Sequence, residues 1–449
     1  MKRKFKIKLS VWQFLALGYI IVILLGSVFL ILPCATANGE KTTYLNALFT
    51  ATSATCVTGL TPYDVGTHWS LFGQIVILLL IQTGGLGFMT FVSTIFLMFK
   101  RMGLYERKAL LTAAGGEKKL YGVSTLIKRI FIGTAIFEIA GACLLSIRFC
   151  QDFGAARGIY FSIWHSVSAF CNAGFDLMGA VGGASLSAYA ADPLVSITIC
   201  ALIILGGVGF CVWGDVIECK FNWKKYQLNT KVVILVSIVL TTVSTWLFLL
   251  FEWNNDIYIE KGYNFGQKLL CSFFNAVTPR TAGFYTTAPE TLSDSGYLLT
   301  VILMFIGGSS GSTAGGIKVG TFAVIIMGMI AVFRGRQDIN IGKKRIESSL
   351  LSQALAIFAS CLMIIMGATL VVCAVDGVHV KDALFECVSA LGTVGMSLNL
   401  TSHLGVASKI VLIILMYAGR AGILTIALAV GEKRRAPEVR KPVDTLLIG

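Results

Sequence analysis

Four short stretches of this chain share one pattern: Thr55-Cys56-Val57-Thr58-Gly59-Leu60, Phe170-Cys171-Asn172-Ala173-Gly174-Phe175, Pro279-Arg280-Thr281-Ala282-Gly283-Phe284 and Leu391-Gly392-Thr393-Val394-Gly395-Met396. Their shared glycines lie 115, 109 and 112 residues apart. An aromatic residue stands ten positions before each (Phe49, Trp164, Phe273, Phe385). Six and five positions before it come Ser53-Ala54, Ser168-Ala169, Val277-Thr278 and Ser389-Ala390. A lone glycine in an apolar chain is usually a helix-packing contact. Four at matching offsets read instead as one repeated unit. No Asp or Glu falls within the four stretches, so a calcium-type ring of carboxylates does not fit. What such loops offer is main-chain carbonyl oxygen. Glycine permits the backbone angles and the close approach that bring several carbonyls to one point. A quartet of neutral oxygens at each level can replace the water around a large monovalent cation, and potassium is the natural candidate.

The elements that must position these loops are apolar. Of 449 residues, 56% are hydrophobic and 13% charged, with a mean hydropathy of +0.80. About half the usual charge cannot cover a water-facing surface, which excludes an ordinary soluble enzyme. Seven prolines and no long polar tract argue against disorder. Apolar segments recur at about 11–33, 71–99, 126–147, 194–217, 232–251, 297–333, 350–375 and 409–431, most near the length that crosses a bilayer as helix. Half-length segments at about 42–54, 158–169, 266–277 and 380–390 lead into the glycine stretches. They cannot span, and a short helix ending in irregular backbone at membrane depth is tolerated only where it lines protein or water. The expected fold is an all-α membrane protein of four M1–pore helix–M2 repeats in pseudo-fourfold arrangement around one ion pore, with eight transmembrane helices and four half-helices. The expected units are a basic tail at 1–10, repeats at 11–100, 125–218, 231–334 and 349–431, and a C-terminal tail at 432–449.

The formal charge of +14 raises nucleic acid as a partner, but the placement of the bases answers it. Residues 2–8, 100–129, 218–231, 334–345 and 433–441 hold 27 of the 37 Lys and Arg, all on one side of an eight-span chain. This is the positive-inside bias, so both termini are expected in the cytoplasm, and no nucleic acid is expected as a partner. The first apolar segment is too long for a cleaved signal peptide and lacks a small-residue cleavage site. Twelve cysteines form no CxxC pair, and four scattered histidines (His68, His165, His379, His403) form no metal or catalytic set. No cofactor is expected, and the chain reads as a non-enzyme. The rival reading is a sodium-coupled secondary cation transporter with broken helices, whose repeats would be inverted rather than parallel.

Each second helix also carries a glycine-rich break: Gly84-Gly85-Leu86-Gly87, Gly206-Gly207-Val208-Gly209, Gly307-Gly308-Ser309-Ser310 and Ala418-Gly419-Arg420-Ala421. The third continues as Gly311-Ser312-Thr313-Ala314-Gly315-Gly316-Ile317-Lys318. As one straight helix, 297–333 would run about 55 Å, well past the bilayer core. Glycine and serine fill most of 307–316 and make poor helix interior. The expectation is an irregular loop over 307–317 facing the pore as a flexible barrier below the filter. Small-residue helix packing is the alternative. A phosphate cradle is disfavoured because Ile317 stands where Walker A requires Lys. Lys318 and Arg420 lie at membrane depth, where charge is expensive and usually functional. Both are expected to line the pore, with Arg420 repelling cations or anchoring the loop; the alternative for Lys318 is snorkelling to the interface. Arg280 is expected to pair outside the pore, and Glu138 to partner it or another helix.

The filter stretches and glycine-rich inner segments resemble the Trk/Ktr/HKT superfamily of potassium transporters over essentially the whole chain. The resemblance implies that Gly59, Gly174, Gly283 and Gly395 are filter glycines, with Gly59 pointing to potassium where serine goes with sodium in plant relatives. It implies backbone filter positions at Cys56, Val57, Thr58, Cys171, Asn172, Ala173, Arg280, Thr281, Ala282, Gly392, Thr393 and Val394. The short basic tail before the first unit, without two extra N-terminal helices, is most similar to the Ktr membrane subunits, KtrB and KtrD. Such subunits imply a homodimer bound to a cytosolic nucleotide-binding RCK ring of KtrA or KtrC type, in the bacterial cytoplasmic membrane, with sodium as a stimulating ion. The basic loops 100–129 and 334–345 are the expected docking region. The apolar tail Val443–Gly449 is expected at a subunit boundary.

Overall fold

The computed structural model describes residues 11–87, 123–336, 338–341 and 344–422. The basic tail, most of the loop at 100–129, the far ends of the second and eighth apolar segments and the tail Val443–Gly449 lie outside the described residues. The described chain is mostly helical, and its order follows the apolar pattern. Helix α1 (Val11–Leu30) leads to the shorter α2 (Tyr44–Cys56) and then α3 (Leu71–Gly85). Next come α4 (Val123–Phe153), α5 (Ala155–Phe170), α6 (Pro193–Val208) and α7 (Phe210–Glu218). Helices α8 (Leu228–Phe251), α9 (Phe265–Val277), α10 (Asp294–Phe305) and α11 (Val319–Phe333) follow. The last three are α12 (Ser348–Asp376), α13 (Val380–Gly392) and α14 (Val406–Ala421). A small antiparallel ribbon pairs Ile339–Ile341 with Lys344–Ile346.

Polar residues at the starts of several helices explain where they begin. Thr43 caps α2, Ser70 caps α3 and Ser293 caps α10 through their hydroxyls. Asp192 accepts from Leu194 and Val195 ahead of α6, with Pro193 at the first position. Asn264 and Gln267 form a reciprocal capping box on α9, at 2.9 and 3.0 Å. Among the described residues, three helices are long and apolar enough to cross a membrane unaided: 128–153, 228–251 and 348–376. The apolar run 194–217 is not one straight helix. It bends by 89° at Gly209, whose φ of +102° only glycine adopts readily. The run 297–333 likewise divides into α10 and α11 around the irregular segment 306–318.

Inside a bilayer, apolar surface alone does not drive helices together, so close packing through small residues carries the association. One apolar cluster gathers Trp69, Phe149, Trp164, Phe170, Phe175 and Phe284, and another Phe49, Met304, Phe385, Leu412 and Met416. Three glycines bring second helices into direct contact with the ends of short ones. A Cβ added at Gly84 would strike the Thr55 carbonyl, at Gly206 the Phe170 carbonyl, and at Gly419 the Leu391 carbonyl. Each carbonyl lies four residues before its conserved-offset glycine, so the true equivalents are Gly84, Gly206 and Gly419. The alignment of Ala418 with Gly84 is therefore wrong by one residue. Arg420 takes the place of Gly85 and Gly207, and Gly422 (φ +84°) that of Gly87 (φ +82°) and Gly209.

Gly206→Ala should lower the melting temperature in detergent, because overpacking of this kind costs about 1–3 kcal/mol. Gly214→Ala on α7, with nothing within 4 Å of the added carbon, should leave it unchanged or raise it. Equal melting temperatures for wild type and Gly206→Ala would contradict this packing.

Candidate functional site

The four short helices α2, α5, α9 and α13 end in loops of the same backbone design. Two residues before each shared glycine the chain is left-handed: Val57 (φ +57°), Asn172 (+58°), Thr281 (+79°) and Thr393 (+51°). The glycines themselves have φ of +98°, +71°, +81° and +90°. Positive φ at β-branched Val57, Thr281 and Thr393 is unfavourable and persists only where surroundings impose it. Three loops close alike. Thr58 donates its N–H to the Ser53 carbonyl at 2.8 Å, Ala173 to Ser168 at 2.8 Å and Val394 to Ser389 at 2.9 Å. The third differs: Ala282 bonds to Thr278 at 2.9 Å. Pro279 has no N–H with which to continue α9, and the helix stops earlier, at Val277.

The residues spaced around each glycine brace its loop. The Ser53 hydroxyl accepts from the Gly59 N–H at 3.0 Å, and that of Ser389 from the Gly395 N–H at 3.1 Å. The Trp164 indole donates to the Phe175 carbonyl at 3.0 Å, and the Thr278 hydroxyl to that of Phe284. Leu60, Phe175, Phe284 and Met396 are buried behind the loops.

The loops meet in a closed cycle. A Cβ on Gly59 would collide with the Ala173 oxygen, on Gly174 with the Ala282 oxygen, on Gly283 with the Val394 oxygen, and on Gly395 with the Thr58 oxygen. Each glycine thus faces the carbonyl just before the next glycine, in the order 59, 174, 283, 395 and back to 59. Four main-chain oxygens gather at that level. The hydroxyls of Thr58 and Thr393 in these loops, and of Thr55 and Ser168 near the ends of α2 and α5, are buried without a hydrogen-bond partner. Such a site offers a cation neutral oxygen from four directions.

Segment 306–318 packs against this assembly. Ile306 and Ile317 form a parallel bridge, and Gly307 donates to the Ile317 carbonyl at 2.9 Å. Ser309 donates to the Gly207 carbonyl at 2.9 Å, and Phe210 to that of Gly311 at 2.9 Å. Thr313 reaches the Phe170 carbonyl through its hydroxyl at 3.2 Å. Gly315 lies against the Thr393 side chain and Gly316 against the Gly392 carbonyl. Within this segment the amides of Gly307, Ser309 and Thr313 are bonded to protein carbonyls.

Arg420 ties the segment down. Its guanidinium donates to the Thr313 carbonyl and to the Gly84 carbonyl, with a further bond to Gly85 at 3.3 Å. Lys318 folds back on its own loop, donating to Ala314 at 2.8 Å and Gly315 at 3.2 Å. Arg280 turns away from the ring, toward α8, where it donates to the Thr241 hydroxyl at 3.1 Å and the Ser237 hydroxyl at 3.3 Å. Glu138 is not its partner: it accepts from Gln82 at 3.2 Å, whose carboxamide oxygen receives the Cys171 thiol at 3.6 Å. Two contacts lie outside what the glycine pattern indicates, the bonding of Arg420 across the fold and a buried carboxyl at Glu386. The only signal for Glu386 is an acid inside an otherwise apolar half-length segment.

Helices of membrane-crossing length around a ring of main-chain oxygens define a membrane protein of the cation-transport class. The family model described as TrkH: Cation transport protein matches residues 20–435, and the chain belongs to that family. It is 38% identical to the potassium/sodium uptake protein NtpJ of Enterococcus hirae, over 100% of this chain and 99% of that one. It is 36% identical to the Ktr system potassium uptake protein B of Bacillus subtilis, over 97% and 96%. The crystal structure of the potassium transporter TrkH from Vibrio parahaemolyticus has the same fold, with a TM-score of 0.74 at 19% identity, covering 95% of this chain and 86% of that one.

Asp176 lies between the second loop and α6, outside the spanning helices. Burial raises its carboxyl to about 6; the Met178 N–H opposes the shift, the Asp64 carboxylate adds to it and the Ser185 hydroxyl opposes it. A raised carboxyl favours the neutral form. Its contribution to stability is present below the unfolded value near 4 and is lost as pH rises through about 6. Asp176→Asn should therefore raise the melting temperature at about pH 8 and leave it nearly unchanged at about pH 4. Equal effects at both would remove this assignment.

Proposed function

We propose that this chain is the potassium-translocating, channel-like subunit of a bacterial uptake system. The supporting observation is the closed cycle in which each glycine abuts the carbonyl before the next. The reading takes the fold as four M1–pore helix–M2 repeats, eight transmembrane helices and four half-helices, with the four loops as the selectivity filter. The C-terminal ends of the short helices add negative dipole ends that favour a cation. Without carboxylates, the quartet suits an ion whose hydration is weak enough to exchange for neutral oxygens, which favours potassium over smaller or doubly charged ions.

In the same proposal, 306–318 is a gate beneath the filter and Arg420 its latch. The bonds from Arg420 to Thr313, Gly84 and Gly85 favour anchoring over repulsion of cations. The name of the Bacillus subtilis relative brings in a Ktr-type system; the cytosolic nucleotide-binding ring docking at the basic loops and the homodimer are proposed on the resemblance of the filter stretches, and both termini in the cytoplasm on the placement of the bases. Sodium is proposed as a stimulating ion on the resemblance, and the Enterococcus hirae relative's name joins sodium to potassium uptake.

The test is uptake of potassium, rubidium and sodium in cells lacking their own potassium transport. Wild type should restore potassium uptake with rubidium close behind. Gly59→Ser adds a side chain against the Ala173 carbonyl and should weaken discrimination against sodium several-fold. Deleting 307–316, or Arg420→Gln, should raise leak. No uptake by wild type, alone or with a regulatory subunit, would overturn the reading, and unchanged leak in both gate variants would remove the gate.

A further inference from the structure

The ring and segment 306–318 leave a fully buried acid beside the fourth loop unexplained. Glu386 lies on α13, nine residues before Gly395, and is fully buried. Its carboxyl is met from the outer strand of the fourth loop. The Ser397 hydroxyl donates to one oxygen, and the Thr401 hydroxyl to the other at 3.0 Å. A buried carboxyl costs free energy unless several donors satisfy it, and an acid at membrane depth is rarely kept for packing alone. The matching positions in the other short helices hold Thr50, His165 and Phe274, so the acid belongs to one quadrant.

Its grip falls next to the ring. Ser397 is two residues beyond Gly395, on the strand that leaves the cycle of oxygens. The second and third loops hold the equivalent strand through the Trp164 indole and the Thr278 hydroxyl, each on a main-chain carbonyl. In the fourth, side chains beyond the glycine reach back to a carboxyl in the helix.

We propose that Glu386 is a specificity-determining positioning residue. By holding Ser397 and Thr401 it fixes the outer strand of the fourth loop, and with it the cation preference of the ring. The inference rests on the potassium-pore reading above. Loosening this strand lets one of four oxygens move and the ring accept ions of other size.

The experiment measures potassium and sodium flux in proteoliposomes for wild type, Glu386→Gln, Ser397→Ala and Thr401→Ala, with melting temperatures alongside. Glu386→Gln keeps the shape and brings two N–H donors to a site already supplied with donors. Ser397→Ala and Thr401→Ala cut the same link from the other side. The expected result is a several-fold loss of potassium preference in Glu386→Gln and Ser397→Ala. The potassium KM should rise more than the maximal rate falls, while Ser397→Ala melts near wild type. Unchanged preference and KM in Ser397→Ala, and in Glu386→Gln if it folds, overturns the role, whatever happens to stability. Wild type that passes no potassium refutes the pore reading, whereas normal wild-type flux with unaltered variants refutes this inference alone.

Discussion

The rest of the structure depends on one contact made four times: a glycine with no side chain, lying against the carbonyl oxygen of its neighbour's loop. Any Cβ at Gly59, Gly174, Gly283 or Gly395 would occupy the space of that oxygen. The contact requires loops that turn sharply after a short helix, which left-handed residues provide. It requires the loops to stay in place, which buried aromatic and hydroxyl braces provide. It also requires second helices that approach the loop bases closely, which Gly84, Gly206 and Gly419 permit.

Segment 306–318 is held by the same parts. Its bonds go to carbonyls at Gly206 and Gly207 on α6 and at the end of α5, and its glycines rest on Gly392 and Thr393. These sit directly beside ring loops. Segment 306–318 therefore shares contacts with the second and fourth loops. Arg420 adds α3 to the set by spanning Thr313 and the last carbonyls of that helix.

Much of this was legible in the residues. Glycine recurs because each loop needs the close approach, Ser53 and Ser389 recur as caps of the glycine N–H, and Trp164 braces its loop, whereas Ser168 keeps the pattern without making the cap. What could not be read is what depends on three dimensions. The register of the last helix is hidden in the residues because Arg420 stands where two other copies have glycine, and the similarity of small residues favours an offset one residue away. The glycines at 206–209 indicated a break but not a right-angle turn. Arg280 and Glu138 offered an obvious ion pair that the fold separates, since each finds neutral partners on a nearer helix. Glu386 carried only the signal of an isolated acid, which says nothing of the two hydroxyls that reach it from beyond the glycine.

Pro279 gives the third loop a turn unlike the other three. Because one polypeptide supplies every quadrant, no symmetry operator copies a change around the axis. A homotetramer would alter every corner with each mutation; here evolution can retune a single corner and leave its companions intact. Graded adjustment of the ring's geometry is thereby open to single codons, and the odd third quadrant is already one departure from equality.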